Sequence, residues 1–98
     1  MSDEFRVEYV NLLRERNVTE IRRFLERFDL GFEADVDFTV AVRDQDGTLV
    51  GTGSSQGEVL RNIAVDETIQ GAGLTSTILS TLMQDMARKG ILHYFIFT

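Results

Sequence analysis

A chain of 98 residues suits one small domain built around a single core. Hydrophobic residues make up 43% and charged residues 27%, a globular balance that argues against disorder. Sixteen acidic residues against ten basic ones leave a net charge of -6, the wrong sign for binding nucleic acid or an anionic membrane surface.

The absence of Cys excludes a disulfide scaffold, a zinc-thiolate site and a thiol nucleophile, and a single His excludes a multi-histidine metal site. No metal is therefore expected. No apolar run approaches the roughly 18 residues of a spanning helix. The first residues, Met1-Ser2-Asp3-Glu4-Phe5, are acidic and lack the apolar segment of a signal peptide. A cytoplasmic, soluble protein is the expectation. The chain has no Pro, repeat or low-complexity tract, so residues 1–98 read as one domain.

In chain order, Phe5, Val7 and Tyr9 alternate with Arg6 and Glu8, which predicts a strand within Phe5 to Leu13. Asn17 with Glu20 has capping-box spacing and predicts the start of a helix. Val18, Ile21, Phe24, Leu25 and Phe28 supply its apolar face, and Gly31 its stop. Strict alternation from Val36 to Val42 predicts a half-buried strand. Asp44-Gln45-Asp46-Gly47 is a turn, and Leu49 to Ser54 returns as the other arm of a hairpin. Gly51 and Gly53 within that arm predict a bulge or a close approach. Val59 to Val65 is apolar on both sides, as in the middle of a covered sheet. After Gly71, Leu74, Ile78, Leu82 and Met86 form a helical stripe widened by Leu79 and Met83, and Gly90 ends it. Ile91 to Phe97 reads as a closing strand parallel to Val59–Val65 through a right-handed crossover. The order β-α-β-β-β-α-β makes an α/β (α+β) fold with a mixed sheet.

The stretch from Ile63 to Ser76 carries the chemistry. A buried strand enters a short loop, and Gly71 and Gly73 open an amphipathic helix. Unpaired N–H groups at a helix start, with the helix dipole behind them, make an anion site that a phosphate approaches closely over glycine. Glycines at such a place serve equally well as turn residues. A Walker loop fails because Leu74 and Thr75 follow Gly73. The dinucleotide fingerprint fails because Ser76 stands where glycine is needed and His93 where an acid is needed. A calcium loop aligned on Gly47 puts Val42 and Gly53 at ligand positions.

What does fit is the run Gln70-x-x-Gly73-x-Thr75 after Ile63-Ala64-Val65-Asp66, which resembles motif A of the GNAT N-acetyltransferase family. The element order also resembles that fold through its fifth strand, and the chain is expected to stop there as a fragment of a longer protein. The resemblance implies that Ile63, Ala64 and Val65 offer backbone groups to the pantetheine arm of acetyl-CoA. It implies that Gln70, Gly71, Ala72, Gly73, Leu74, Thr75 and Ser76 form the pyrophosphate loop. Thr75 departs from the smaller residue usual there. From Phe24-Leu25 to His93–Thr98 the chain also resembles the N-terminal region of the citrate lyase ligases. That likeness implies an acetyltransferase-like domain beside a ligase domain that acetylates the lyase's acyl carrier subunit. The acyl carrier subunit is accordingly a partner to expect.

For a general base the candidates are Glu58, Asp66 and Glu67, at or beside the central strand, each also readable as a turn or solvated carboxylate. Arg61 is the cation near that strand, a phosphate contact or a surface charge. His93 and Tyr94 are expected to be structural, and Met83 and Met86 to be core. A docking or regulatory domain without catalysis is the rival reading. The apolar C-terminal edge suggests dimerisation or completion by further sequence.

Overall fold

In the computed structural model, which describes residues 5–97, the elements follow the expected order. The strands are β1 (Arg6–Tyr9), β2 (Phe38–Arg43), β3 (Leu49–Gln56), β4 (Val59–Val65) and β5 (Phe95–Ile96). The helices are α1 (Glu15–Glu26) and α2 (Leu74–Arg88). The sheet runs β1-β2-β3-β4-β5, antiparallel as far as β4 and parallel between β4 and β5.

Both faces of the sheet are covered. Helix α1 lays Val18, Ile21, Phe24 and Leu25 over Ala41, Leu49 and Ala64. Helix α2 lays Leu74, Ile78, Leu82 and Met86 over Val40, Val42, Leu60 and Val65. Strand β2 is therefore buried on both sides rather than half-buried as its alternation predicts. Its polar Thr39 is tolerated because the hydroxyl shares a 2.7 Å hydrogen bond with Ser54. Thr52 likewise donates to the Val40 carbonyl at 2.8 Å.

Several boundaries differ from the sequence reading. Strand β1 stops at Tyr9, and a turn follows in which Asn11 Oδ1 accepts the Leu13 N–H at 3.0 Å. The capping box does not form: α1 begins before Asn17, with Arg14 at the cap and no side-chain cap bond. The Asn17 amide instead donates to the Asn11 carbonyl at 3.0 Å. Helix α1 also ends ahead of Gly31. Asp29 takes the left-handed conformation (φ 59°), and the Leu30 N–H returns to the Leu25 carbonyl at 3.1 Å.

The closing strand is much shorter than predicted. Phe95 and Phe97 donate to the Glu58 and Leu60 carbonyls, both at 2.8 Å, and only Phe95–Ile96 counts as strand. Leu92, His93, Tyr94, Phe95, Ile96 and Phe97 are all exposed, because no described element packs over them. His93 and Tyr94 are thus surface groups, not core. Among the described residues no helix is long and apolar enough to cross a membrane.

The glycine-rich arm makes the predicted close approach, and a bulge lies in the strand opposite it. Thr52 pairs with Ala64 and Ser54 with Arg61, so β4 carries one extra residue opposite Gly53. A Cβ on Gly53 would stand 2.5 Å from Ile78 Cγ2 and 3.2 Å from Leu82 Cδ1. Gly53→Ala should therefore cost about 1–3 kcal/mol by overpacking, read as a lower urea midpoint. An unchanged midpoint would mean that α2 is free to ride away from the sheet.

Candidate functional site

The extra residue in β4 sets up the site. Asn62 adopts a left-handed backbone (φ 56°), and the faces of the strand change phase there: Leu60 and Ile63 both pack toward α2. Pairing with β5 reaches only Leu60. Beyond it, Asn62–Val65 has no strand alongside on the β5 side among the described residues, so peptide groups on that edge are open to a ligand. Two hollows run beside the edge. One of about 200 Å³ is lined by Leu30, Asn62, Ile63, Ile96 and Phe97. The other, about 350 Å³, is lined by Phe28, Leu30, Ile63, Ala64, Val65, Gln70 and Thr75. Leu30 and Ile63 line both, which makes one cleft.

At its end the cleft meets the glycine loop. Asp66 Oδ1 accepts the Thr68 N–H at 2.9 Å and its hydroxyl at 2.7 Å, which folds Glu67–Ile69 into a single 3₁₀ turn. Gln70 Nε2 then donates to the Val65 carbonyl at 3.3 Å. Gly71 (φ 101°) and Gly73 (φ 80°) both need the left-handed region, and Gly73 caps α2. The first helical bond runs from the Thr77 N–H to the Gly73 carbonyl at 3.2 Å. The amides of Leu74, Thr75 and Ser76 therefore have no helical acceptor. A Cβ at Gly71 or Gly73 would meet nothing within 4 Å, so the space over the loop is open. This arrangement can hold an anion without a charged side chain.

Sequence reasoning missed the opposite wall. Phe28 and Leu30 come from the tail of α1, where their spacing reads only as the end of a core stripe. Arg27 ties that tail to the loop. Its Nη2 lies 3.1 Å from Asp66 Oδ2 and 3.3 Å from Glu67 Oε1. Its guanidinium also lies over the rings of Phe24 and Phe28, 5.1 and 5.6 Å from their centroids.

No protein-family model matches the chain. A [citrate (pro-3S)-lyase] ligase from Klebsiella pneumoniae is 37% identical over 90 residues, which is 91% of this chain and 26% of the ligase. The chain thus spans about a quarter of the length of the curated relatives it matches. The backbone superimposes on an aminoglycoside acetyltransferase from an uncultured soil metagenomic sample with TM-score 0.76, at 15% identity, covering 98% of this chain and 78% of that one. A predicted acetyltransferase with acetyl-CoA from Clostridium acetobutylicum matches with TM-score 0.73, at 11% identity, covering 96% and 80%. The chain has a GNAT-like fold and is similar in sequence to citrate lyase ligase.

The GNAT-like sheet does not bring the three candidate carboxylates together. Glu58 is exposed in the turn before β4, and Asp66 and Glu67 follow its other end. A seven-residue strand keeps Glu58 more than about 20 Å from the other two, which share Arg27. Glu67 is exposed and faces Arg27. The Asp66 carboxyl is held down to about 2, first by the Thr68 hydroxyl, then by the Thr68 amide and Arg27. A carboxylate that acidic is a poor proton acceptor at neutral pH. Because its folded value lies below the ordinary 3.8, Asp66 adds stability above about pH 4 that is lost as pH falls through about 2. A carbon-13 titration of the Asp66 carboxyl should show its midpoint near 2, moving upward in Arg27→Gln. A midpoint at the ordinary 3.8 would break the account of how this loop is held.

Proposed function

We propose that this chain binds an acyl-coenzyme A thioester and constitutes one GNAT-like domain of a longer citrate lyase ligase. The observation that carries the reading is the continuity of the cleft. One open strand edge, Asn62–Val65, leads along an apolar wall to unpaired amides at the start of a 15-residue helix. Pantetheine alternates amides with short apolar links, which suits a strand edge faced by Phe28, Leu30 and Ile63. The pyrophosphate would lie on the free amides of Leu74, Thr75 and Ser76, over glycines that leave the approach open. Gln70 and Thr75 line the junction between the two parts. Bound there, coenzyme A supplies an activated acyl thioester.

A second reading is favoured by Asp66. Its ties to Thr68 and Arg27 leave the loop's nearest carboxylate without the basicity an amine acceptor needs. On that reading the domain holds the thioester, or docks the ligase domain or the acyl carrier subunit, without transferring an acyl group itself.

Isothermal titration with acetyl-CoA should give saturable heat, and Gly73→Val should weaken binding at least about tenfold, or about 1.4 kcal/mol. Added salt should strengthen rather than weaken the interaction, since the chain and the ligand are both anionic. No heat from a protein shown to be folded would remove the cofactor reading. Unchanged affinity in Gly73→Val would remove the loop from the site.

A further inference from the structure

We propose that Arg61 receives a carboxylate at the end of the cleft opposite the glycine loop. Strand β4 runs from Arg61 through the Asn62 kink to Val65, about 13 Å at strand rise. The loop amides stand at one end of that run and the Arg61 guanidinium at the other. The side chain is half-buried, and its Nη1 donates to Gln56 Oε1 at 2.9 Å. Its guanidinium lies 5.7 Å from the centroid of the Phe97 ring, which lines the cleft. Its Nε–H is buried and has no hydrogen-bond acceptor among the described residues.

The other cations show how unusual this is. Arg6, Arg27, Arg43 and Lys89 each pair with a carboxylate, and Arg14, Arg16, Arg22, Arg23 and Arg88 are exposed to solvent, in a chain where acids outnumber bases sixteen to ten. No such pair forms at Arg61 among the described residues, although burial strengthens the field of an uncompensated charge. Gln56 occupies Nη1 and leaves Nη2 and the covered Nε–H unpaired, the pair of donors that grips a carboxylate side-on once the contacts over Nε give way. Gln56 and Phe97 fix the plane of the guanidinium from two sides. A lysine could not present that planar fork.

The chemical class follows from position. A thioester whose pyrophosphate sits at Gly71–Ser76 carries its acyl group toward Asn62, and Arg61 is the next residue beyond. The carboxylate belongs either to the far end of an acidic acyl chain or to an acidic acceptor. Assigning this end to the acyl group rests on the coenzyme A reading above, whereas the carboxylate site does not.

Acetyl-CoA, succinyl-CoA and free succinate distinguish the possibilities, each titrated into the native chain and into Arg61→Gln, with amide spectra confirming the fold. An acyl-chain carboxylate predicts that succinyl-CoA binds at least about tenfold tighter than acetyl-CoA. It also predicts that Arg61→Gln abolishes the preference and leaves acetyl-CoA affinity unchanged. An acceptor carboxylate predicts equal affinity for the two thioesters, with a saturable shift of the Arg61 Nε–H resonance on adding succinate to the acetyl-CoA complex. If neither thioester binds, the coenzyme A reading fails by itself, and a saturable succinate shift of the same resonance in the free chain still supports the site. No thioester preference together with no saturable succinate shift overturns the proposal, as does either response persisting in Arg61→Gln.

Discussion

Helix α2 lies against the sheet only because Gly53 has no side chain. Ile78 fills the space that a Cβ would need, so the helix sits close over the junction of β3 and β4. At the same junction β4 carries its extra residue, and Asn62 turns left-handed to absorb it. The two features depend on each other. Ile63 returns to the α2 side after the kink, and its Cγ1 would stand 3.3 Å from a Gly53 Cβ. A side chain at Gly53 would displace both the helix that aims its amino end at the cleft and the strand residue that lines it.

The second wall is set from further away. Arg43 on β2 is gripped by both Glu20 oxygens on α1, at 2.7 and 2.8 Å, and by Glu8 on β1 at 2.7 Å. These hydrogen bonds hold the Glu20 carboxyl below its ordinary value and raise that of Arg43, so both stay ionised through the neutral range. One guanidinium thereby fixes α1 over two strands, and the tail of α1 carries Phe28 and Leu30 into the cleft. The pair is partly exposed, so its service is registration more than stability. The apolar stripe of α1 supplies the larger share of the burial.

Periodicity alone exposed most of this architecture. The alternation of β2, the apolar run of β4 and the helical stripes of both helices identify those elements. Gly51 and Gly53 announced a close approach because a strand interior has little other use for glycine. What stayed hidden was long-range. Nothing local says that Asn62 takes a positive φ, since the bulge it belongs to shows only in the pairing with β3. Nothing local marks Arg27 as a latch, since its partners lie 39 and 40 residues away. The stop of α1 was misread because Asp29 takes the left-handed role that glycine usually fills. The apolar run 91–97 suggested core because composition reports a preference for burial, not the presence of a neighbour to provide it.

Charge explains why the cleft is built with a different device at each end. A chain of net charge -6 repels a polyanion as a whole, so attraction must be local and geometric. At the loop, Arg27 is already balanced by Asp66 and Glu67, which leaves uncharged amides and the helix dipole to meet a phosphate. Those groups are fixed by the backbone, carry no side-chain entropy and need no counterion. At the other end no helix terminus faces the cleft, and an anion there needs a real cation. Arg61 is the described side chain that meets the requirement, half-buried and without a carboxylate of its own. The selectivity of the cleft then lies in the separation of the two devices along β4: a ligand with a phosphate alone satisfies one, and a ligand with an acidic far end satisfies both.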